Sequence, residues 1–196
     1  MTELMNQMAV AFDLPILDWI QANLKSDLLD TVMPIITLFG DGGVFWIAIA
    51  VLLLCIPKTR KIGLGMGFAL LMGLVVCNIT LKPLVGRIRP YDLQEQLGVT
   101  IPLLTERMHD YSFPSGHTIA SFEASVVLLK NNKWMGIPAV ILAVLIAFSR
   151  LYLYVHYPTD VIFSFFAGIL FAFLGDALAN KVVTRLPARR KGRYEV

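Results

Sequence analysis

The chain has 196 residues, 57% of them hydrophobic and only 16% charged, with a mean hydropathy of +0.69. Soluble domains carry about 25% charged residues, so a soluble globular enzyme is excluded and an integral membrane protein is indicated. The net charge of +3 says little by itself, and no nucleic-acid partner is expected; the bilayer is.

Apolar runs recur along the whole chain, which reads as one integral membrane domain over residues 1–196. Met1 to Met8 contains Glu3 and no basic residue, so the charged start and cleavage site of a signal peptide are missing and the N-terminus is expected to be retained. From Leu4 to Leu24, apolar residues such as Phe12, Leu17 and Trp19 are interrupted by Asp13, Pro15 and Asp18, the pattern of an interfacial amphipathic helix. Ser26-Asp27 offers an N-cap for a helix through Phe39, which stops at Gly40-Asp41-Gly42-Gly43. This first span is short unless it recruits residues before Asp27.

Val44 to Ile56 forms the next run, ended by Pro57-Lys58-Thr59-Arg60-Lys61. Ile62 to Leu81 follows, about twenty residues, enough to cross roughly 30 Å of hydrocarbon. Its Gly63, Gly65, Gly67 and Gly73 suit close helix packing. A polar segment, Tyr91 to Tyr111, precedes spans near Ser115 to Leu129, Trp134 to Leu153 and Pro158 to Ala179. The expectation is an all-α, six-helix transmembrane bundle with an N-terminal interfacial helix. Cys55 and Cys77 read as buried small hydrophobes.

If the spans alternate, the basic segments Lys58 to Lys61, Lys130 to Lys133 and Lys181 to Arg193 share one side, which the positive-inside rule makes cytoplasmic. Both termini are expected there. Lys82, Arg87, Arg89 and Arg150 then stand outside, against the rule, as residues retained to hold an anion.

Three clusters carry the chemistry. Ionisable groups near a hydrocarbon core cost roughly 2.5–3.5 kcal/mol or more and mark a functional site by default. Lys82, Arg89 and Arg150 supply three cations, and a guanidinium fork grips phosphate oxygens two at a time. Arg87 reads equally as a fourth or as a snorkelling residue at a helix end. Pro114-Ser115-Gly116-His117 opens a helix, whose free N–H groups form an anion site; Gly116 admits close backbone approach, and Ser115 is also an N-cap candidate. His156 and Asp160, four residues apart with Pro158 in the first helical turn, can share a face, the carboxylate fixing the imidazole tautomer. Glu123 needs a partner, Asn78 or a basic residue, whereas His109 and Asp110 read as solvated loop residues.

Together these clusters resemble the signature of the type 2 phosphatidic acid phosphatase superfamily. Lys82, six residues and Arg89-Pro90 match its first motif, Pro114-Ser115-Gly116-His117 the second, and Ser149-Arg150, five residues, His156, three residues and Asp160 the third. No motif position departs, and the resemblance covers about Ile62 to Gly175. It implies that His156 is the nucleophile, that His117 is the general acid, and that Lys82, Arg89, Ser115, Gly116 and Arg150 bind phosphate, with no metal or other cofactor. Asp160 is expected to orient His156. The implied substrate is a membrane lipid phosphate or diphosphate hydrolysed at the extracytoplasmic face: undecaprenyl diphosphate, phosphatidylglycerophosphate or phosphatidic acid. Hydrolysis of a soluble phosphate ester is a weaker alternative. A non-catalytic lipid carrier or flippase would need the cations, but neither the histidine pair nor the orienting carboxylate.

Overall fold

The computed structural model describes residues 6–185, and these are all-helical, with no β-strand among them. Met1 to Met5 and the part of the basic tail from residue 186 onward lie outside the described residues. A wide π-helical turn, Ala9–Asp13, leads into α1 (Leu14–Leu24). Then follow α2 (Asp27–Leu38), α3 (Val44–Cys55), α4 (Arg60–Met72), α5 (Lys82–Val85), α6 (Pro90–Gln96), α7 (Gly116–Asn131), α8 (Lys133–Tyr152) and α9 (Pro158–Arg185). Four helical stretches, 27–55, 60–96, 133–152 and 158–185, are long and apolar enough to cross a membrane.

The polar residues set the helix ends. Ser26 caps α2 by accepting from the Leu29 amide, with Asp27 and Asp30 in the first turn, where the helix dipole favours negative charge. Asn132 alone separates α7 from α8 and caps the latter by accepting from Trp134 and Met135 N–H. So tight a hairpin needs Gly136, because a Cβ there would meet the Leu129 Cα at 2.0 Å. α4 continues through a π-helical segment, Gly73–Leu81, into α5.

α7 is the axis, packed against α4, α8 and α9. Its Thr118, Ser121, Glu123 and Ser125 are buried among neighbours rather than turned to lipid. Trp46 is wholly enclosed and donates its indole N–H to Ser121 Oγ at 3.0 Å. Large apolar side chains such as Leu28, Val51, Leu71, Ile141, Phe166 and Leu170 are exposed around the outside, as a hydrocarbon solvent requires. Cys77 is buried as expected, but Cys55 is exposed at the end of α3, where no helix covers it.

The N-terminal third departs from the expected pair of antiparallel spans. Ser26 and Asp30 meet the Tyr152 hydroxyl at one end of α8, while a Cβ on Gly40 would touch Ile146, further down that helix, and His117. Gly43 faces Ala120, and Leu54 packs on Gly63 at the opposite end. Residues 27–55 therefore run through the bundle once, bent at Gly40–Gly43, where Gly42 and Gly43 take φ of +56° and +67°. The reason is length: α2 and α3 have 12 residues each, about 18 Å apiece at 1.5 Å per residue, and only together do they approach 30 Å. The turn-like glycines bend the helix without reversing it.

One end of the bundle thus carries α1, α6, the loop 97–115 and the junction 153–157; the other carries Lys58 to Lys61, Lys130, Lys133 and Lys181. α1 lies across the first end, with Gln21 Nε2 donating to Tyr152 O at 2.6 Å and Tyr154 OH donating to Asp18 at 2.6 Å. This places α1 opposite the basic loops, not beside them as six alternating spans would require.

The α7–α8 hairpin yields a stability prediction. Gly136→Ala has no relief except separation of the two backbones, so it should cost roughly 1–3 kcal/mol, the usual range for overpacking. Gly67→Ala, whose Cβ would meet nothing within 4 Å, should be near neutral. Thermal unfolding of the two variants in detergent, side by side, checks both.

Candidate active site

The site is assembled where the junction 153–157 turns α8 into α9. The Arg150 carbonyl accepts from both Val155 N (3.2 Å) and His156 N (3.3 Å), and Tyr154 adopts φ +60°, so the chain reverses within five residues. His156 is 1% exposed. Its Nδ1 lies 3.5 Å from Asp160 Oδ2 and 3.4 Å from Ser112 Oγ, while Nε2 faces Arg89 at 3.5 Å. Asp160 Oδ2 also accepts from Ser112 Oγ (2.5 Å) and Tyr157 N (3.1 Å). Burial, and then the charges of Arg89 and Arg150, hold the His156 imidazole well below its usual range and so keep it neutral.

His117 stands in the first turn of α7, where its Nε2 pairs with Asp41 Oδ1 at 2.6 Å. Asp41 comes from the bend in the 27–55 leg, so that bend serves the site. Lys82 Nζ and Arg89 Nη2 each reach a different oxygen of Asp110, at 2.5 Å. Arg89 is anchored further by its Nη1 donating to Val155 O at 2.7 Å. Although partial burial opposes it, the hydrogen bond from Lys82 and the charge of Arg89 hold the Asp110 carboxyl down at about 2. A carboxylate from the 97–115 loop therefore sits between two cations of the site.

Arg150 is fully buried, donating to Thr37 Oγ1 (2.6 Å) and Met108 Sδ (3.2 Å), with its Nε unpartnered. Among the described residues it has no carboxylate within ion-pair distance. A buried cation is normally paired, so this guanidinium stands out among the described residues.

Lys82, Arg89, Gly116, His117, Arg150 and His156 all line one cavity of about 680 Å³. Asp160 sits directly behind His156. Ser115 does not reach the cavity: its hydroxyl caps α7 and lies 3.0 Å from Thr118 Oγ1, and its N–H is taken by Ser164 Oγ at 2.9 Å. Ser115 is the N-cap of α7, one of the two roles the sequence offered for it. At Gly116 the space of a side chain is filled by Asn78 Oδ1, 2.9 Å from an ideal Cβ, so this glycine admits Asn78 rather than only a ligand. Asn78 is thus not the partner of Glu123, which occupies the space beside Gly73 and leaves Oε1 without a partner in the cavity wall.

Arg87 neither snorkels nor faces the cavity. It is 4% exposed and bridges Asp160 and Asp13, at 2.5 and 2.6 Å. Sequence reasoning also passed over Asp13, Asp41, Thr37 and Ser112, and left Asp110 in solvent. The two carboxylates Asp13 and Asp41 had a signal, since each is an acid in apolar surroundings; Thr37 and Ser112 had none. Among the described residues no group of three or more His, Cys, Asp or Glu side chains is arranged to hold a metal ion.

The cavity continues from the site as an apolar groove between two legs, with Ile47, Val51 and Leu54 on one wall and Leu70, Leu71 and Leu74 on the other. The legs touch closely at Gly63, whereas Gly67, one turn further along, lines the cavity with open space beside it.

Residues 62–183 match the family model of the PAP2 superfamily. The chain is 35% identical over 147 residues to an undecaprenyl-diphosphatase of Sulfolobus acidocaldarius, covering 74% of this chain and 68% of that protein. It is 32% identical over 149 residues to the undecaprenyl-diphosphatase BcrC of Bacillus subtilis, covering 76% and 74%. Its backbone is similar to the crystal structure of Aquifex aeolicus LpxE, with a TM-score of 0.71 and 27% identity over 83% of this chain and 93% of that one. It is also similar to a transmembrane PAP2-type phosphatidylglycerolphosphate phosphatase from Bacillus subtilis, with a TM-score of 0.63 and 27% identity over 87% and 82%. With three sequence motifs folded around a single cavity and a family match over most of the chain, the protein belongs to the type 2 phosphatidic acid phosphatase (PAP2) superfamily.

Proposed function

We propose that this protein is an integral-membrane lipid phosphatase acting on an isoprenoid diphosphate, with undecaprenyl diphosphate, named for two of its relatives, as the first substrate to test. The observation that carries the reading is the joint cavity. Two histidines and an uncompensated buried guanidinium stand at the head of an apolar groove, as a charged headgroup on a long hydrocarbon tail requires. Monophosphate lipids are the second reading, supported by the phosphatidylglycerolphosphate phosphatase among the similar structures.

In the proposed mechanism neutral His156 attacks the terminal phosphorus through Nε2, the nitrogen on the cavity side. The P–O bond to the leaving group breaks, the electron pair goes to the departing oxygen, and protonated His117 supplies its proton. Lys82, Arg89 and Arg150 hold the equatorial oxygens as charge develops. Asp160 stabilises the positive charge that the ring gains. Water then attacks the phosphohistidine, His117 takes the proton, and inorganic phosphate leaves. Asp110 must first yield its place between Lys82 and Arg89.

The basic loops at the far end support a cytoplasmic position for that end and an extracytoplasmic site. Five legs crossing the bilayer, rather than six, then put α1 on the same side as the site.

Three outcomes are expected. Purified protein should release phosphate from undecaprenyl diphosphate in excess chelator, and His156→Ala should abolish both turnover and acid-labile phosphoenzyme. His117→Ala should lose roughly 10²–10⁴-fold, the range for a general acid, with the smaller loss on the diphosphate, whose leaving group least needs the proton. Activity only on a soluble ester, or none without added metal, would overturn the proposal.

Asp110→Asn should free the two cations and tighten orthovanadate inhibition. The gain should be up to about fivefold per ion pair, since exposed pairs are worth up to about 1 kcal/mol. Inhibition curves for wild type and variant read it directly.

For sidedness, Gln7→Cys and Leu104→Cys, in a background lacking Cys55 and Cys77, should both react with an impermeant thiol reagent in intact cells, whereas Lys181→Cys should not. Protection of Gln7→Cys would restore the six-span arrangement.

A further inference from the structure

The N-terminal segment reaches the catalytic pair through a chain of buried charges. Asp13, 1% exposed, lies in the π-helical turn before α1, far outside the residues 62–183 that match the family. Its Oδ2 accepts from Arg87 Nη2 (2.6 Å) and Thr159 Oγ1 (2.9 Å), and its Oδ1 accepts from the Thr159 amide (2.9 Å) in the first turn of α9. Arg87 Nη1 donates onward to Asp160 Oδ1 at 2.5 Å, and the guanidinium lies over the Tyr157 ring at 3.8 Å. The remaining Asp160 oxygen serves Ser112, the Tyr157 amide and the His156 side.

We propose that Asp13, acting through Arg87, is a positioning residue for the Asp160–His156 pair, so that the N-terminal segment is part of the catalytic unit. The inference rests on the reading of His156 as nucleophile. The physical reason is charge balance. With Arg87 paired to Asp160 alone, the two charges cancel and little remains to support a cation on His156. A second carboxylate on the far side of Arg87 leaves the group with one net negative charge, and that charge faces the ring. Asp13 also ties Arg87 to the first turn of α9, which carries Asp160, so the carboxylate is fixed in position as well as in charge.

The test compares Asp13→Asn with Asp13→Asn/Arg87→Gln, using phosphoenzyme formation, KM, and the acid limb of the pH–rate profile. The charged and titratable groups facing His156 are Asp160, Arg89, Arg150, Lys82 and His117; those facing Arg87 are Asp13, Asp160 and Tyr157. Asp13→Asn removes a negative charge, so the acid limb should move to lower pH. Phosphoenzyme formation should slow, by less than in Asp160→Asn because Asp13 acts through Arg87 and Asp160, with KM little changed. The double variant restores one net negative charge, so the acid limb should return toward its wild-type position, which a merely structural role would not produce. Asp13→Asn alone keeps the Arg87–Asp160 pair and so leaves no unpaired buried charge, whereas the double variant leaves Asp160 held by Ser112 Oγ and the Tyr157 amide without a cation; thermal unfolding and orthovanadate binding verify the fold of both.

An unshifted acid limb and unchanged phosphorylation rate in folded Asp13→Asn would overturn the inference. So would a loss of the same size in an Asp160→Asn background, where a relay leaves nothing further to lose. Failure of the underlying reading looks different: wild type would then form no phosphoenzyme, or His156→Ala would retain it.

Discussion

A guanidinium enclosed at the head of an apolar bundle costs several kcal/mol in low dielectric unless carboxylates compensate it. Arg87 finds two, and the rest of the site follows from where they are attached. Asp160 brings in the first turn of α9, Asp13 brings in the segment before α1, and Tyr157 closes over the guanidinium from the junction 153–157. Three stretches far apart in sequence are locked together, and His156 is held on the one face of that knot that opens to the cavity. Replacing such a triad with apolar side chains could stabilise the fold; its retention is better explained by the geometry it enforces on His156.

The cavity cations are arranged on the opposite logic. Arg89 and Lys82 share one carboxylate, Asp110, which is 53% exposed, and among the described residues Arg150 has none. The guanidinium that ties the fold together has two enclosed carboxylates, while the cations that face the cavity have between them one that is half exposed. The same contrast separates the two histidines. His156 is buried against an enclosed carboxylate, whereas His117 faces Asp41, which is 54% exposed on a bend lined with glycine. In the proposed mechanism the ring that moves a proton to and from solvent is the one in the second setting.

Below the site, helix packing shapes the route for a tail. The 27–55 leg and α4 are in close contact at Gly63, and Gly67, one turn further along α4, already lines the cavity that continues to the cations. The bend at Gly40–Gly43 serves two ends at once: it keeps two short helices in one leg of sufficient length, and it aims Asp41 at His117.

Membrane character, helix ends and the three family motifs were legible in the sequence, because each rests on local chemistry. Apolar runs cannot be hidden, Asn132 and Ser26 cap helices wherever those helices go, and the spacing of His156 and Asp160 is itself a helical turn. That Lys82, Arg89, His117, Arg150 and His156 share one cavity also followed from alternating helices sharing one end. What remained hidden depended on partners distant in sequence. A Gly-Asp-Gly-Gly segment reads alike as a reversal or a bend, and only the positions of Tyr152, Ile146 and Gly63 decide that 27–55 crosses once. Arg87 reads alike as a snorkelling or an anion-binding residue until Asp13, 74 positions away, supplies its second carboxylate. The cap at Ser115 was legible, but its ties to Ser164 and Thr118 were not. Sequence by itself determined which groups were too costly to bury without a purpose; tertiary structure decided which of them compensate one another and which are left facing the cavity, because pairing energy depends on distance through space and not along the chain.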